Sequence, residues 1–199
     1  MSPRTKLQFE EIRETSRNKI LSVALELFAQ TGYKETSVSK IAEKAGISKG
    51  LMYNYFKNKE ELLEAVVLDG FTKITELNYS MKKEEKPVEK LKEIIDDTLD
   101  SLFENLSYWQ LYMALLVQPQ VQKKFENKFY EFREMLVTPM VEIFKRLGSN
   151  NPELDAFLLG MHFDGIALNF VAAPDDFPIE GIKQQLFERY SKPGRKKRI

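Results

Sequence analysis

The sequence predicts an all-α protein of about nine helices, on three observations. Nearly every segment repeats its apolar residues at helical spacing, and no stretch alternates convincingly with the two-residue period of a half-buried strand. Gly, Pro and capping Ser or Asn residues punctuate these segments. The 199-residue chain is 43% hydrophobic, enough for a packed core and too much for a disordered chain.

Residues 1–14 read as a flexible polar arm. In the first helix Ile20, Val23, Ala24, Leu27 and Phe28 form a one-sided stripe that stops at Gly32. Ser37 caps a second helix with Val38, Ile41, Ala42 and Ala45 inward, and Gly46 makes a tight turn. Ser48 caps a third, short helix running to about Phe56. Asn58 caps a long fourth, with Glu60 and Glu61 where the helix dipole favours acid. Its stripe is Leu62, Val66, Ile74, Leu77 and Met81, interrupted by Gly70, and the polar run Lys82–Pro87 ends it. Val88 to Phe103 is a fifth helix, Tyr108–Val117 a sixth and Val121 to Leu147 a seventh, which Pro139 should kink or split. Asn151-Pro152 starts an eighth, apolar nearly all round, to about Ala173. Pro178 starts a ninth to Tyr190, and 192–199 is a basic tail.

Composition narrows the chemistry. With no Cys and one His, thiolate metal sites, disulfides and a Cys nucleophile are excluded, and no cofactor or metal is expected. No Gly-rich phosphate loop appears. The charged N-terminus lacks a secretory h-region, which suits a cytoplasmic protein. The longest apolar stretches, near Ala156–Phe163 and Ile166–Pro174, fall short of a membrane span, so no membrane role is expected. Net charge is +0, but six lysines between Lys34 and Lys59 face only Glu35 and Glu43, a local excess of +4. A positive face on a neutral chain suits a site-specific binder of nucleic acid.

The stretch Ser37–Lys59 carries the clearest signal. Two short helices joined at Gly46, with Ala42, Ile47 and Met52 behind them and a polar second helix, make a rod that a DNA major groove can accept. From Ile20 through Leu62 the chain resembles the TetR family of bacterial transcription regulators. The resemblance lies in Ala24…Leu27-Phe28…Gly32-Tyr33…Thr36-Ser37, in Ile41-Ala42…Ala45-Gly46-Ile47-Ser48-Lys49-Gly50, and in Tyr53…Tyr55-Phe56…Asn58-Lys59…Leu62.

The resemblance implies a helix-turn-helix DNA-binding domain over 15–60 and an effector-binding and dimerisation domain over 61–191. Ser37 and Ser39 match positions that contact DNA backbone or nearby bases. Ser48, Lys49, Gly50 and Leu51 open the recognition helix: Gly50 lets the backbone approach the groove, Lys49 donates to guanine or phosphate, and Leu51 meets a thymine methyl. Tyr53, Asn54 and Tyr55 project further along, Tyr53 as a phosphate anchor. Lys59 matches the family's phosphate clamp. No Arg or Gln lies in 49–55, so base preference stays open.

A palindromic double-stranded operator and a homodimer follow, with the eighth and ninth helices as the dimer surface. A small, largely apolar effector would sit among Phe103, Leu106, Trp109, Tyr112, Met113, Leu116, Phe125, Phe129, His162, Phe163 and Asn169. It would tilt the fourth helix, bending at Gly70 and Pro139, and release DNA. Two alternatives stay open: a DNA-binding regulator with no small ligand, whose helical core is closed, and a helical enzyme built on His162.

Overall fold

The computed structural model describes residues 6–77, 79–80, 82–175 and 177–192. Among them lie nine α-helices and no strand: α1 (Lys6–Thr31), α2 (Val38–Ala45), α3 (Lys49–Tyr55), α4 (Lys59–Thr75), α5 (Pro87–Glu104), α6 (Leu106–Leu116), α7 (Pro119–Arg146), α8 (Pro152–Ala172) and α9 (Ile179–Tyr190). They form two compact units, Met1–Gly70 with Leu111–Lys124, and Phe71–Gln110 with Phe125–Ile199. The first unit therefore runs past the boundary expected at residue 60 and takes in a segment from the middle of the chain.

In the first unit α1 packs on α2 and α2 on α3. The core comprises Ile20, Ala24, Leu27 and Phe28, then Ile41, Ala42, Ala45, Met52 and Phe56, then Leu62, Leu63, Val66 and Val67, with Tyr112, Leu115 and Val121. In the second unit α5 packs on α8 and α9. Its core gathers Leu91, Ile94, Ile95, Leu99, Met140, Ile143, Phe144, Ala156, Leu159, Leu186 and Tyr190.

The structure refines four expectations. The arm is helical from Lys6 on. Residues 6–14 are mostly strong helix formers with neither Gly nor Pro, and the hydroxyls of Thr15 and Ser16 bond back to the carbonyls of Glu11 and Ile12. Residues 1–5 lie outside the described residues, as do Met81 and most of the tail (193–199).

Gly70 does not interrupt α4. A Cβ there would lie 2.0 Å from the Tyr112 ring. The glycine is the seat of that ring, and the helix runs through it to Thr75.

Pro139 does not split α7, which runs on through it to Arg146. The non-helical residue is Phe125, at φ −110° and ψ 15°. Proline removes one amide donor, but Met140, Ile143 and Phe144 just beyond it are buried in the core and keep the segment helical.

Finally, α8 is 21 residues long and holds an 18-residue stretch with a mean hydropathy of 1.3, so by length and composition it could cross a bilayer.

Candidate nucleic-acid interface

The reading head is built by its caps. The Ser37 hydroxyl accepts the Lys40 N–H at 3.2 Å and starts α2. At the far end Gly46 takes φ +71°, a left-handed conformation that suits glycine. Gly46 N–H then reaches the Glu43 carbonyl and Ile47 N–H the Ala42 carbonyl, both at 3.0 Å, closing a Schellman turn. Two residues later the Ser48 hydroxyl accepts the Leu51 N–H at 3.1 Å and starts α3. Each capping oxygen accepts within the protein, so its own proton remains for a phosphate oxygen.

Of the seven residues in α3, Met52 alone is buried. Lys49, Gly50, Leu51, Tyr53 and Asn54 are exposed, Tyr55 is half-buried, and Ser37, Ser39 and Ser48 are exposed. The structure thus brings Ser37, Ser39, Ser48, Lys49, Gly50, Leu51, Tyr53 and Asn54 to the solvent side of one helix pair. The Arg17 guanidinium covers the Phe56 ring at 5.6 Å and shields the end of α3.

Lys59 is held from within the protein. Its ammonium donates to the carbonyls of Tyr33 (2.8 Å), Lys34 (3.0 Å) and Thr36 (2.9 Å) and lies 4.6 Å from the centre of the Tyr33 ring. Three N–H donors meet three acceptors, which ties the ammonium to the α1–α2 turn. Lys44 is likewise paired, with Glu26 at 2.5 Å. The local excess therefore rests on Lys34, Lys40, Lys49 and Lys57, all exposed. At the start of α4 the Asn58 carboxamide oxygen accepts the Glu61 N–H while the Glu61 carboxylate accepts the Lys57 N–H.

One residue of this region was missed by sequence reasoning. The Gln118 side chain, from the α6–α7 turn, donates to the Phe28 carbonyl (2.8 Å) and accepts the Tyr33 N–H (3.1 Å). Some 85 residues separate these partners, and before Pro119 the glutamine reads only as part of a helix stop.

The expected effector residues are not gathered in one unit. Tyr112, Met113 and Leu116 belong to the first unit and the other eight to the second. Tyr112 is buried, and its hydroxyl donates to the Val67 carbonyl at 2.8 Å. Burial, then the negative charge of Asp69, holds this phenol well above its ordinary pKa, so it stays a donor. In the second unit Phe103 stacks on Phe170 (3.8 Å between centroids), with Phe177 alongside. Trp109 is buried and its indole N–H donates to the Ser101 carbonyl. Phe125 is buried, Phe129 meets Phe71 edge-on, Phe163 packs against the core, and Leu106 is half-buried.

Two of the eleven point elsewhere. Asn169 is exposed and donates to the Gly165 carbonyl of its own helix. His162 Nδ1 sits 2.6 Å from the Leu158 carbonyl and 3.1 Å from the Tyr190 hydroxyl, which fits an Nδ1–H donor tied into α8.

The second unit instead shows an apolar seam on α8. Leu154, Phe157, Met161 and Leu168 are exposed at near-heptad spacing. Gly160 and Gly165 lie on the same helix with open space where a Cβ would be. Beside the seam a groove of about 730 Å³ is lined by Val137, Val141, Leu154 and Phe157, with Glu134, Glu142 and Lys145 among its other residues.

Residues 20–66 match the family described as bacterial regulatory proteins, tetR family. The chain is 27% identical to the HTH-type transcriptional regulator AcrR of Shigella flexneri over 90% of its own length and 87% of that protein. Its fold matches the fatty acid degradation regulator FadR from Bacillus halodurans at a TM-score of 0.71, with 20% identity, 90% of this chain and 96% of that one covered. It also matches SmeT in its complex with triclosan at 0.67, with 20% identity over 88% of this chain and 90% of that one.

Proposed function

From the match of residues 20–66 to the tetR family of bacterial regulatory proteins, we infer that the chain is a transcriptional regulator that grips a palindromic operator as a homodimer and lets go when a small, largely apolar effector binds. The observation that carries this reading is the solvent-facing α3, with Lys49, Tyr53 and Asn54 outward and Met52 inward. Lys49 and Tyr53 suit phosphate, and the Asn54 carboxamide matches the donor–acceptor pair of an adenine edge. Occupancy of an operator hinders polymerase, so repression is the expected sign. Such a protein acts where the chromosome is, in the cytoplasm.

The α8 seam supports the dimer. A second copy would cover Leu154, Phe157, Met161 and Leu168, and the open sides of Gly160 and Gly165 permit close helix approach. A bilayer is the poorer occupant, because Asp164 sits inside the helix and a carboxylate at mid-membrane costs about 3 kcal/mol even by the milder scales. The aromatic stock around Phe103, Phe170 and Phe177 supports an apolar or aromatic effector, and triclosan in the SmeT complex is a ligand of that kind held by a protein of this fold.

Selection of duplex fragments from genomic DNA tests the reading. The expected product is an inverted repeat whose half-sites lie about 34–36 Å apart or slightly more. A recovered pool without twofold symmetry, or no pool, would sink it. Sedimentation tests the dimer separately: Met161→Glu with Leu168→Glu should give monomers that keep their helical content.

A further inference from the structure

The Gln118 carboxamide makes four hydrogen bonds. Nε2 donates to the Phe28 carbonyl (2.8 Å) and the Ala114 carbonyl (3.4 Å). Oε1 accepts the Tyr33 N–H (3.1 Å) and an N–H of the Gln120 side chain (3.1 Å). A carboxamide has two donors and about two acceptor sites, so every one is used. A flipped amide would set N–H against the Tyr33 N–H and oxygen against the Phe28 carbonyl, so these partners fix its orientation.

Phe28 and Tyr33 flank the end of α1, and the turn between them leads to Ser37, the cap of α2. Lys59 holds the same turn through three carbonyls. The segment bearing Gln118 is anchored in the first unit by the buried Leu115 and Val121, while α6, which leads into it, begins among residues of the second.

We propose that Gln118 is a positioning residue for DNA binding: its amide latches the α1–α2 turn in the form that grips duplex DNA. The proposal rests on the regulator reading above. A turn ordered beforehand pays no ordering entropy when Ser37 and α3 meet DNA. Hydrogen bonds are either made or broken, which gives the element two discrete states without exposing the core.

The test compares wild-type protein with Gln118→Ala and Gln118→Glu on the tightest duplex recovered by the genomic selection, alongside amide exchange at Tyr33. Gln118→Ala should speed Tyr33 exchange about tenfold. It should also weaken DNA binding roughly fivefold or more, the lower end of common coupling between sites. Gln118→Glu supplies a readout that a merely structural residue would not move. Its ionised carboxylate accepts the Tyr33 N–H but cannot donate to the Phe28 carbonyl, whereas the protonated acid can do both. Its affinity relative to wild type should therefore recover as pH falls from about 7.5 to about 5, as a carboxyl facing carbonyl oxygens takes up its proton. Unchanged Tyr33 exchange in both variants overturns the latch. So does faster exchange with DNA affinity within about twofold of wild type, or a Gln118→Glu ratio that is flat with pH. If wild-type protein recovers no duplex, the regulator reading falls and the latch falls with it.

Discussion

The two units use the same fastening in different places. In the reading head the Lys59 ammonium ties the carbonyls of Tyr33, Lys34 and Thr36. In the second unit the Arg146 guanidinium ties those of Lys82, Lys83 and Glu85. Each cation comes from a helix end and stills a loop joining two other helices. What the units then present differs. The head exposes Ser, Lys, Asn and Tyr at helix starts, while the second unit exposes Leu154, Phe157, Met161 and Leu168 along one helix. The same internal repair leaves one surface dressed for phosphate and bases and the other for burial against a like surface. A basic side chain in this protein is thus no guide to DNA contact until its protons are accounted for.

The largest effect expected is on the head's own packing. Tyr112→Ala empties the site against Gly70 and should cost about 3–5 kcal/mol in denaturant unfolding. Gly70→Ala overpacks the same site for about 1–3 kcal/mol. Combined with Tyr112→Ala it should cost almost nothing further, and additive costs would show that the two do not meet.

Next comes the pair of fastenings. Lys59→Met and Arg146→Met should each lose about 1.5–3 kcal/mol of stability, the worth of charged hydrogen bonds. Lys59→Met should also speed amide exchange over residues 33–36, whereas Arg146→Met should leave that exchange and DNA affinity alone. Loss of DNA binding without loss of stability in Lys59→Met would restore the phosphate clamp that the sequence suggests.

Lys49→Ala and Tyr53→Ala should keep wild-type stability within about 0.5 kcal/mol, as exposed positions do. They should weaken binding about equally across sequences, with Lys49→Ala making the salt slope shallower by about one. The smallest effect belongs to Lys44→Ala. Its pair with Glu26 is partly exposed and should be worth less than about 1 kcal/mol by thermal melting in low salt.

The head was legible because its signals are local. Ser37, Gly46 and Ser48 set caps and turn within a dozen residues, and each sits where its chemistry requires. The α8 helix was legible from Asn151-Pro152 for the same reason. Gly70 read only as a gap in the apolar stripe of α4 and a place to bend, while its packing partner, the Tyr112 ring, lies over forty residues away in the chain. The Lys59 fastening was not legible, because side-chain charge is visible in a sequence and backbone carbonyls converging on it are not. Gln118 left no signal at all: its worth lies in two backbone groups some 85–90 residues distant. The effector residues were chosen by apolar character, which cannot tell a ring already stacked on a neighbour, such as Phe103 on Phe170, from one that awaits a guest.

Lys59 also makes the head self-reporting. An amine acylates only when its nitrogen can offer a lone pair to the reagent, and here the nitrogen is hemmed by three oxygens and roofed by the Tyr33 ring. Brief labelling of the native protein with an acylating reagent should mark Lys40, Lys49 and Lys57 and spare Lys59. The ratio of those peptides by mass would then count correctly assembled heads in any preparation, before a single binding curve is drawn.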